Sequence, residues 1–226
     1  MKNDLSAAES LQAVVDAIRR AIMNDELAPG QRLLEAELCK SLDASRFNVR
    51  VALRNLSHEG LVEHITNRGA RVRVIGLEEA LHITEVRMAM EEFCVARAAE
   101  RITATEIVEL RAMAVELQKR AEQGDPMGFA KLTHQVHALC VRIADQAAAA
   151  DVLARLRSLI SRHRFRLTYR AGRAKVALPL WLARIDAVCQ RDPEAARMAV
   201  QRHAENVKEA MRALVNERKP IAENSR

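Results

Sequence analysis

Three arginines at four-residue intervals are the residues whose type and spacing most clearly suggest a binding chemistry. Arg46, Arg50 and Arg54 lie in a segment of helical character, and this interval places them on one face of a helix. Another face of the same segment carries apolar residues at helical spacing, namely Val49, Ala52, Leu53 and Leu56. Guanidinium groups bind phosphates and guanine edges in the major groove of DNA. A solvated surface helix can show the same spacing, so the choice depends on the flanking sequence.

The flanking sequence predicts a helix-turn-helix motif. We expect a first helix over about Ser10 to Asn24 and a short second helix over about Leu34 to Ser41. Four residues then separate the second helix from the arginine helix, which Asp43 or Ser45 caps and Gly60 ends. This spacing is typical of DNA-binding helix-turn-helix motifs.

A β-hairpin is predicted directly after the arginine helix. Residues 61–65 and 70–75 have the short, alternating apolar pattern of strands, and a polar turn connects them. A hairpin in this position is the wing of a winged helix-turn-helix domain, which we expect to cover residues 1–75. Arg68 lies near the tip of the wing, where it can reach a phosphate or a minor groove.

These segments resemble the GntR family of bacterial winged-helix repressors over about Leu11 to Val74. The resemblance rests on LAPGQRL at 27–33, EAEL at 35–38, SRFNVRVALRNLSHEGLV at 45–62 and RGARV at 68–72, in the family's order and spacing. It implies DNA contacts from the arginine helix and a wing tip at Arg68 and Gly69. The residues expected to contact DNA are Arg46, Asn48, Arg50, Arg54, Arg68 and Gly69.

Composition limits the class of protein to which the chain can belong. The 226 residues are 49% hydrophobic but only 3% aromatic, with 7 Gly and 5 Pro, which favours helices over a large β-sandwich or barrel. No apolar segment has the ~20 residues that span a membrane, and the N-terminus lacks a signal-peptide pattern, so we expect a cytoplasmic protein without a membrane partner. The 4 Cys are widely spaced without a CxxC pair, which argues against a zinc ribbon or a disulfide framework.

Residues 76–226 predict a bundle of six helices. A capping box at Thr103 to Glu106 and an Asp-Pro pair at Asp125 mark two helix starts. Asp151 is expected to begin the fourth helix, and Pro179 the fifth. The predicted fold is therefore mostly α, with an N-terminal winged helix-turn-helix followed by an all-α six-helix bundle for effector binding and dimerisation.

The bundle resembles the FCD ligand-binding domain of the FadR subfamily, in its six-helix VanR-like form. The resemblance rests on EVRMAMEEFCVARAAE at 85–100, on the predicted helix around His137, and on RDPEAARMAVQRHAENV at 191–207. In that family an Asp, a His four residues later and two further His bind a divalent metal, which helps to hold a small carboxylate effector. The corresponding residues here are Thr133, His137, Trp181 and His203.

The family's metal site is not expected in this chain. A threonine hydroxyl is a poor metal ligand and an indole is none, so Thr133 and Trp181 leave two of the four positions without a ligand. His134 lies partly off the face that carries His137 and is a weak replacement. We therefore expect no cofactor, with His137 and His203 as the ligands in the alternative case that a divalent metal binds.

Arg87 occupies the position of the family's usual arginine in the first bundle helix, which often faces the effector cavity. A guanidinium binds a carboxylate through two hydrogen bonds, so a small organic acid fits such a cavity without a metal. Two alternatives remain open, an ion pair between Arg87 and Glu91 one turn later, and a core role for His203. The residues expected to form the effector site are Arg87, Thr133, His137, Trp181 and His203.

Together these features predict a DNA-binding transcriptional regulator, a repressor, that acts as a homodimer and responds to a small carboxylate. One alternative is a dimeric DNA-binding protein without a ligand. Another is an enzyme that uses His137 and His203, but the sequence contains no nucleophile elbow, phosphate loop, HExxH or dinucleotide motif. The arginine-rich segment Ser161 to Arg170 fits either a solvated helix end or an anion site.

Overall fold

The computed structural model describes residues 2–24, 26–65 and 69–216. The chain forms two compact units, residues 1–76 and 77–226. The first unit contains three helices and three strands in its described part: α1 (Lys2–Met23), β1 (Arg32–Leu33), α2 (Glu35–Leu42), α3 (Arg46–His58), β2 (Val62–Ile65) and β3 (Gly69–Val72).

The arginine helix forms as α3, and Ser45 caps it. The Ser45 side chain accepts a hydrogen bond from the Asn48 backbone N–H at 3.1 Å, which satisfies one of the open donors of the first turn. The predicted apolar stripe is confirmed, because Val49, Ala52, Leu53 and Leu56 are all buried. They pack largely against α1, which buries Val14, Val15 and Ile18. Burial of this stripe holds α3 in place and leaves its opposite face exposed.

The short second helix and the first helix differ from their predicted limits. α2 begins at Glu35, and Leu34 precedes it in extended conformation. Asp43 ends α2 with its backbone in the left-handed region, at φ 48°. It therefore lies in the turn between the two helices and does not cap α3. α1 begins at Lys2 instead of Ser10, because no Gly or Pro interrupts the preceding residues.

The predicted hairpin is present but belongs to a three-stranded antiparallel sheet with the order β1-β3-β2. Val62 pairs with Val72, and Ile65 with Gly69. Strand β1 was not predicted, because a strand of two residues is too short to show an alternating pattern. The strand predicted for residues 70–75 ends at Val72, and the turn that contains Arg68 lies outside the described residues.

The second unit is all helical in its described part: α4 (Leu77–Arg101), α5 (Ala104–Gln123), α6 (Pro126–Ala144), α7 (Ala147–Leu159), α8 (Ser161–Thr168), α9 (Arg173–Cys189) and α10 (Pro193–Asn216). The central helix is α4, which packs against α6, α7, α9 and α10. Buried alanines on α4, including Ala96, Ala98 and Ala99, allow neighbouring helices to approach closely. Residues on α4 are therefore placed to meet side chains from most of the bundle.

Predicted helix caps in this unit are confirmed. The Thr103 hydroxyl accepts from the Glu106 N–H at 3.3 Å, and the Glu106 carboxylate accepts from the Thr103 N–H at 3.0 Å. Asp125 accepts from the Gly128 N–H at 2.8 Å, with Pro126 at the first helical position. These caps set the start of α5 and α6.

Three helix boundaries were predicted wrongly, and residues 77–216 form seven helices rather than six. The helix expected to begin at Asp151 begins at Ala147, because the alanines before Asp151 have high helix propensity and extend α7 toward the N-terminus. The predicted fourth helix divides into α7 and α8 at Ile160, a fully buried residue for which neither Gly nor Pro signals a break. Pro179 lies inside α9, which begins at Arg173 after Gly172 with φ +74°. Burial of Ala177, Trp181 and Ile185 on this helix offsets the backbone hydrogen bond that proline removes.

Two further sequence features have a clear place in the structure. Cys94, Cys140 and Cys189 are buried free thiols, whereas Cys39 is partly exposed. Among the described residues, no helix has the length and apolar character required to cross a membrane.

Candidate functional sites

The exposed face of α3 carries Arg46, Arg50 and Arg54, as their spacing predicted. Arg50 donates two hydrogen bonds to Glu35 at the start of α2, from Nε to Oε1 at 3.3 Å and from Nη2 to Oε2 at 3.1 Å. Exposed ion pairs contribute little to stability, so this pair orients Arg50 without preventing its transfer to a phosphate or a base. Hydrogen bonding to Glu35, together with its negative charge, raises the pKa of Arg50.

Asn48 contributes to the domain in a different way from the arginines. Its Nδ2 donates to Ser10 Oγ at 3.2 Å, which joins α3 to α1. A bidentate pair between Arg19 of α1 and Glu59, at 3.0 and 2.6 Å, joins the same helices at the other end of α3. The two contacts hold the recognition helix against α1 at both ends.

Phe47 is a surface residue that was not predicted to contact DNA. It lies in the first turn of α3 with 73% of its surface exposed, beside Arg46 and Asn48. A large aromatic side chain this exposed is unusual on a domain surface, although one isolated apolar residue needs no partner. The exposure of Phe47 could have been predicted from the sequence, because this aromatic residue lies among polar residues at the start of the helix.

The described part of the wing contributes Gly69 and the base of the hairpin. Gly69 is exposed and begins β3 with φ +82°, a conformation that favours glycine. Arg71 on β3 donates from Nε to Glu63 Oε1 across the hairpin at 2.6 Å. The predicted contact residue Arg68 lies outside the described residues.

A second candidate site is a cavity of about 100 Å³ inside the helical unit. Four of the five residues predicted for the effector site line it, namely Arg87, Thr133, Trp181 and His203. The cavity wall also includes the charged residues Glu91, Arg157, Arg164 and Arg173 and the apolar residues Phe129, Leu167, Ala177 and Val207. Helices that are distant in the sequence thus bring these side chains together.

Glu91 is the centre of a buried charge network at the cavity wall. Its side chain is almost fully buried, and its carboxylate accepts from Nη1 of Arg87 and, at 3.0 Å, from Nη1 of Arg184 on α9. Burial opposes ionisation of Glu91, but the charges around it, that of Arg87 foremost, hold its pKa well below the usual value. The ion pair between Arg87 and Glu91 that the sequence left open is therefore present, and Arg87 also lines the cavity.

His137 does not join the other predicted residues at the cavity wall. It is buried, and its Nδ1 lies 3.4 Å from Glu91 Oε1 without forming a hydrogen bond to any described residue. Burial lowers the pKa of His137 to about 4. The residue is thus a neutral neighbour of the charge network, and only four of the five predicted residues share the cavity.

His203 lies at the cavity wall, edge-on to Trp181 with ring centroids 5.0 Å apart. Burial, followed by the charge of Arg184, lowers the pKa of His203 to about 3. Its Nδ1 has no hydrogen-bond partner among the described residues, and neither has Nε of Arg87. Buried nitrogens of this kind nearly always have a partner in folded proteins.

Arg157 and Arg164 add positive charge to the cavity from α7 and α8. Burial lowers the pKa of Arg157 to about 10 and that of Arg164 to about 9, so both remain protonated at neutral pH. Arg157 Nη1 lies 4.0 Å from Glu91 Oε1, beyond hydrogen-bond distance. Among the described residues that line the cavity there are several guanidinium groups and one carboxylate, and that carboxylate already binds Arg87 and Arg184.

These residues do not fit a divalent metal. Within residues 2–24, 26–65 and 69–216, no group of three or more His, Cys, Asp or Glu side chains has an arrangement that could hold one. The Thr133 hydroxyl donates to the Ala130 carbonyl at 2.8 Å, and exposed His134 lies 2.8 Å from Arg157 Nη2. The surrounding guanidinium groups would repel a cation.

Comparison with known proteins assigns both units. The model "Bacterial regulatory proteins, gntR family" matches residues 11–72, and the FCD domain model matches residues 82–206, more than half of the chain. The chain belongs to the GntR family and carries an FCD domain. It is therefore a GntR-type DNA-binding transcriptional regulator, and the expectation that it is not an enzyme is confirmed.

Relatives support the assignment along most of the chain. The HTH-type transcriptional repressor RspR of Escherichia coli K12 is 27% identical over 206 residues, which cover 91% of this chain and 90% of that protein. The Nta operon transcriptional regulator of Aminobacter aminovorans is 28% identical over 195 residues, or 84% and 90%. The solved structure of E. coli McbR/YncC shares the fold, with a TM-score of 0.77 and 19% identity over 92% of this chain and 99% of that one.

Arg157 and Arg164 line the cavity but were not predicted to belong to it, although a pattern in the sequence indicates them. Leu153, Arg157, Ile160, Arg164 and Leu167 recur every three or four residues, and the three apolar members are buried. Arginines at two positions of an apolar stripe lie on the face that packs into the core, which indicates partly buried guanidinium groups. The pattern is not visible in the segment from Ser161 to Arg170 alone, because three of its five residues precede Ser161.

Proposed function

We propose that this GntR-family regulator acts in the cytoplasm as a homodimeric repressor whose operator affinity changes when a small organic acid binds in the helical unit. The observation that carries the proposal is the cavity itself. Arg87, Arg157 and Arg164 line it, and in the part of the chain that the structure describes its wall includes one carboxylate, that of Glu91. Guanidinium groups in a low-dielectric site bind carboxylates strongly through paired hydrogen bonds. The cavity chemistry thus favours an anionic effector over a neutral or cationic one.

For the DNA-binding unit we propose that α3 enters the major groove. Arg46, Arg50 and Arg54 then contact phosphates or guanine edges, and Phe47 contacts a thymine methyl group. Support comes from their common exposure on one helix and from the two contacts that fix that helix against α1. The tip of the wing, with Arg68 and Gly69, is proposed to reach the adjacent minor groove or backbone.

Repression is the proposed outcome because relatives of the chain carry that description. RspR is named a transcriptional repressor, and so is a probable D-xylose utilization operon regulator of Paenarthrobacter nicotinovorans that is 30% identical over 135 residues. Their effectors are not transferred to this chain. A promoter fusion in cells should rise in expression when the gene for this protein is deleted, and a fall would instead indicate an activator.

The homodimer is proposed because one winged helix reads only a few base pairs, and two-fold symmetry doubles the length of the recognised site. Sedimentation of the full chain at micromolar concentration should give a mass of two chains. Genomic footprinting should then show a pseudo-palindromic protected site. A monomer in solution that protects a single half-site would contradict this part of the proposal.

The effector role is tested with the operator that footprinting identifies. Fluorescence anisotropy of the labelled operator would be measured with the full chain and a panel of small carboxylic acids, with the corresponding primary amides as uncharged controls. At least one acid should change operator affinity while its amide has no effect. If no acid changes it, the chain is better described as a ligand-independent dimeric DNA-binding protein.

A further inference from the structure

The charges around the cavity do not balance within the described residues. Both oxygens of Glu91 are already engaged, one by Arg87 and the other by Arg184. Among the described residues, no carboxylate forms a hydrogen bond with Arg157, and none lies within ion-pair distance of Arg164. Two partly buried guanidinium groups on neighbouring helices therefore face the same cavity. The nearest carboxylate to Arg157 in the described part of the chain is that of Glu91, 4.0 Å away, and Glu91 is already bonded to Arg87 and Arg184.

Two nitrogens at the cavity wall also lack a hydrogen-bond partner among the described residues. Nε of Arg87 and Nδ1 of His203 are buried, and neither forms a hydrogen bond within the described part of the chain. Both residues are more than nine-tenths buried, with relative exposures of 5% and 7%. Since buried polar atoms are almost always paired, these nitrogens indicate a polar molecule in the cavity.

We infer that the effector is a small dianion, that Arg157 and Arg164 neutralise its two charges, and that it binds without a metal ion. This inference rests on the proposed effector role and makes the class of ligand specific. Glu91 then acts as a positioning residue that holds Arg87 beside the cavity. His203 completes the site as a neutral imidazole, whose ring nitrogen can donate or accept a hydrogen bond.

The cavity wall favours an aliphatic dicarboxylate over inorganic phosphate as the source of the two charges. Phe129, Leu167 and Val207 line the cavity beside Trp181 and supply an apolar surface for methylene groups. A volume of about 100 Å³ restricts the ligand to a short chain. Succinate, with two carboxylates joined by two methylenes, represents this class.

A series of three ligands of nearly equal size separates charge from shape. Succinate, succinamate and succinamide carry two, one and no carboxylates, and calorimetry with the full chain would measure their affinities at constant ionic strength in the presence of a chelator. Succinate should bind at least ~10-fold more tightly than succinamate, a difference typical of one further charge-assisted contact. Succinamide should show no binding, and added zinc or manganese should leave the succinate affinity unchanged.

Single substitutions of Arg157 and Arg164 test whether these residues bind the two carboxylates of succinate. Arg157→Gln and Arg164→Gln should each weaken succinate binding about 10-fold or more and reduce its preference over succinamate. Arg155→Gln is the matched control, because Arg155 is exposed on α7 and does not line the cavity. Thermal unfolding of each variant without ligand would verify the fold, and loss of affinity in a folded variant cannot be attributed to unfolding.

The possible outcomes are distinct. Tight binding of inorganic phosphate with weak binding of succinate would support a dianion and assign a phosphate group as its source. Equal binding of succinate and succinamate would overturn the dianion while leaving the proposed organic-acid effector intact, provided that either changes operator affinity. Binding that requires added metal would overturn the metal-free site. Absence of binding by succinate and phosphate at millimolar concentration would overturn the inference, whereas the proposed function would still depend on the wider panel of acids.

Discussion

Arg184 on α9 donates from Nη1 to Oε2 of Glu91 on α4 at 3.0 Å, and each residue has 1% of its surface exposed. The two residues are 93 positions apart. Arg184 also stacks over Trp181, with its guanidinium carbon 5.1 Å from the ring centroid. This pair links the central helix to the cavity wall and makes the charge network part of the core.

Glu91→Gln should destabilise the helical unit by about 3–5 kcal/mol, because it leaves Arg87 and Arg184 buried without a counter-charge. Urea unfolding followed by circular dichroism would measure the change. Glu92→Gln is the control, since Glu92 is bonded to Gln201 at the surface, and it should change stability by less than about 0.5 kcal/mol.

The double variant Glu91→Gln/Arg184→Gln provides a further check. If the destabilisation arises from an unpaired charge, removal of Arg184 should recover part of the stability lost in Glu91→Gln. Purely additive losses in the two variants would contradict the coupling between these residues.

The buried histidines should make the protein lose stability in mild acid. The pKa values of His137 and His203 fall from an ordinary 6.5 to about 4 and about 3 on folding, so the unfolded chain binds more protons between pH 6.5 and 4. Their contribution to stability is therefore present above pH 6.5 and is lost as the pH falls toward 4. Each shift corresponds to a loss on the order of 3 kcal/mol across this window.

Denaturant unfolding measured at several pH values would test this prediction. His203→Gln should flatten the pH dependence between 6.5 and 4, whereas His82→Gln, at an exposed position on α4, should leave it as in the wild type. Equal slopes for the wild type and His203→Gln would show that His203 is not buried in neutral form.

Much of this fold was predictable because its signals are local. The cap at Ser45, the stripe on α3 and the capping box at Thr103 all lie within a few residues of the structure they specify. The division of a helix at Ile160 was not predictable, because tertiary packing rather than Gly or Pro ends α7 there. Strand β1 was missed for a similar reason, since pairing with β3 alone defines its two residues.

The cavity was only partly predictable. Resemblance to a family supplied Arg87, Thr133, Trp181 and His203, which do line one cavity. Nothing local pairs Glu91 with Arg184, because such a contact depends on how α4 packs against α9. His137 shares a helix with Thr133, yet the spacing of the two residues did not reveal that His137 would meet Glu91 instead of the cavity.

Substitution of the recognition arginines should weaken operator binding. Arg46→Ala or Arg50→Ala should cost about 1–3 kcal/mol of binding free energy if the side chain reads a base. Fluorescence anisotropy on the operator and on a scrambled duplex at fixed salt would separate base reading from phosphate contact. Arg20→Ala, at an exposed position on α1, is the control.

Arg68→Ala at the wing should weaken binding to the operator and to the scrambled duplex by similar factors, because a backbone contact carries little sequence information.

Unchanged operator affinity in both Arg46→Ala and Arg50→Ala would remove these two residues from the interface.

Phe47 should read a thymine methyl group. Replacement of single thymines by uracil in the operator removes only that methyl, and at one position it should reduce wild-type affinity by roughly 0.8 kcal/mol. The Phe47→Ala protein should bind the two operators equally well. If uracil at every position affects both proteins to the same extent, Phe47 makes no such contact.

Operator affinity measured with and without succinate shows whether ligand binding in the cavity is coupled to DNA binding. For the wild type, saturating succinate should change the operator dissociation constant by about 5-fold to 150-fold, the usual range of coupling between two sites. Arg164→Gln should bind the operator as the wild type does without ligand and lose the response at the same succinate concentration. An operator affinity that stays the same when calorimetry shows the wild-type cavity to be saturated would mean that the cavity does not regulate DNA binding.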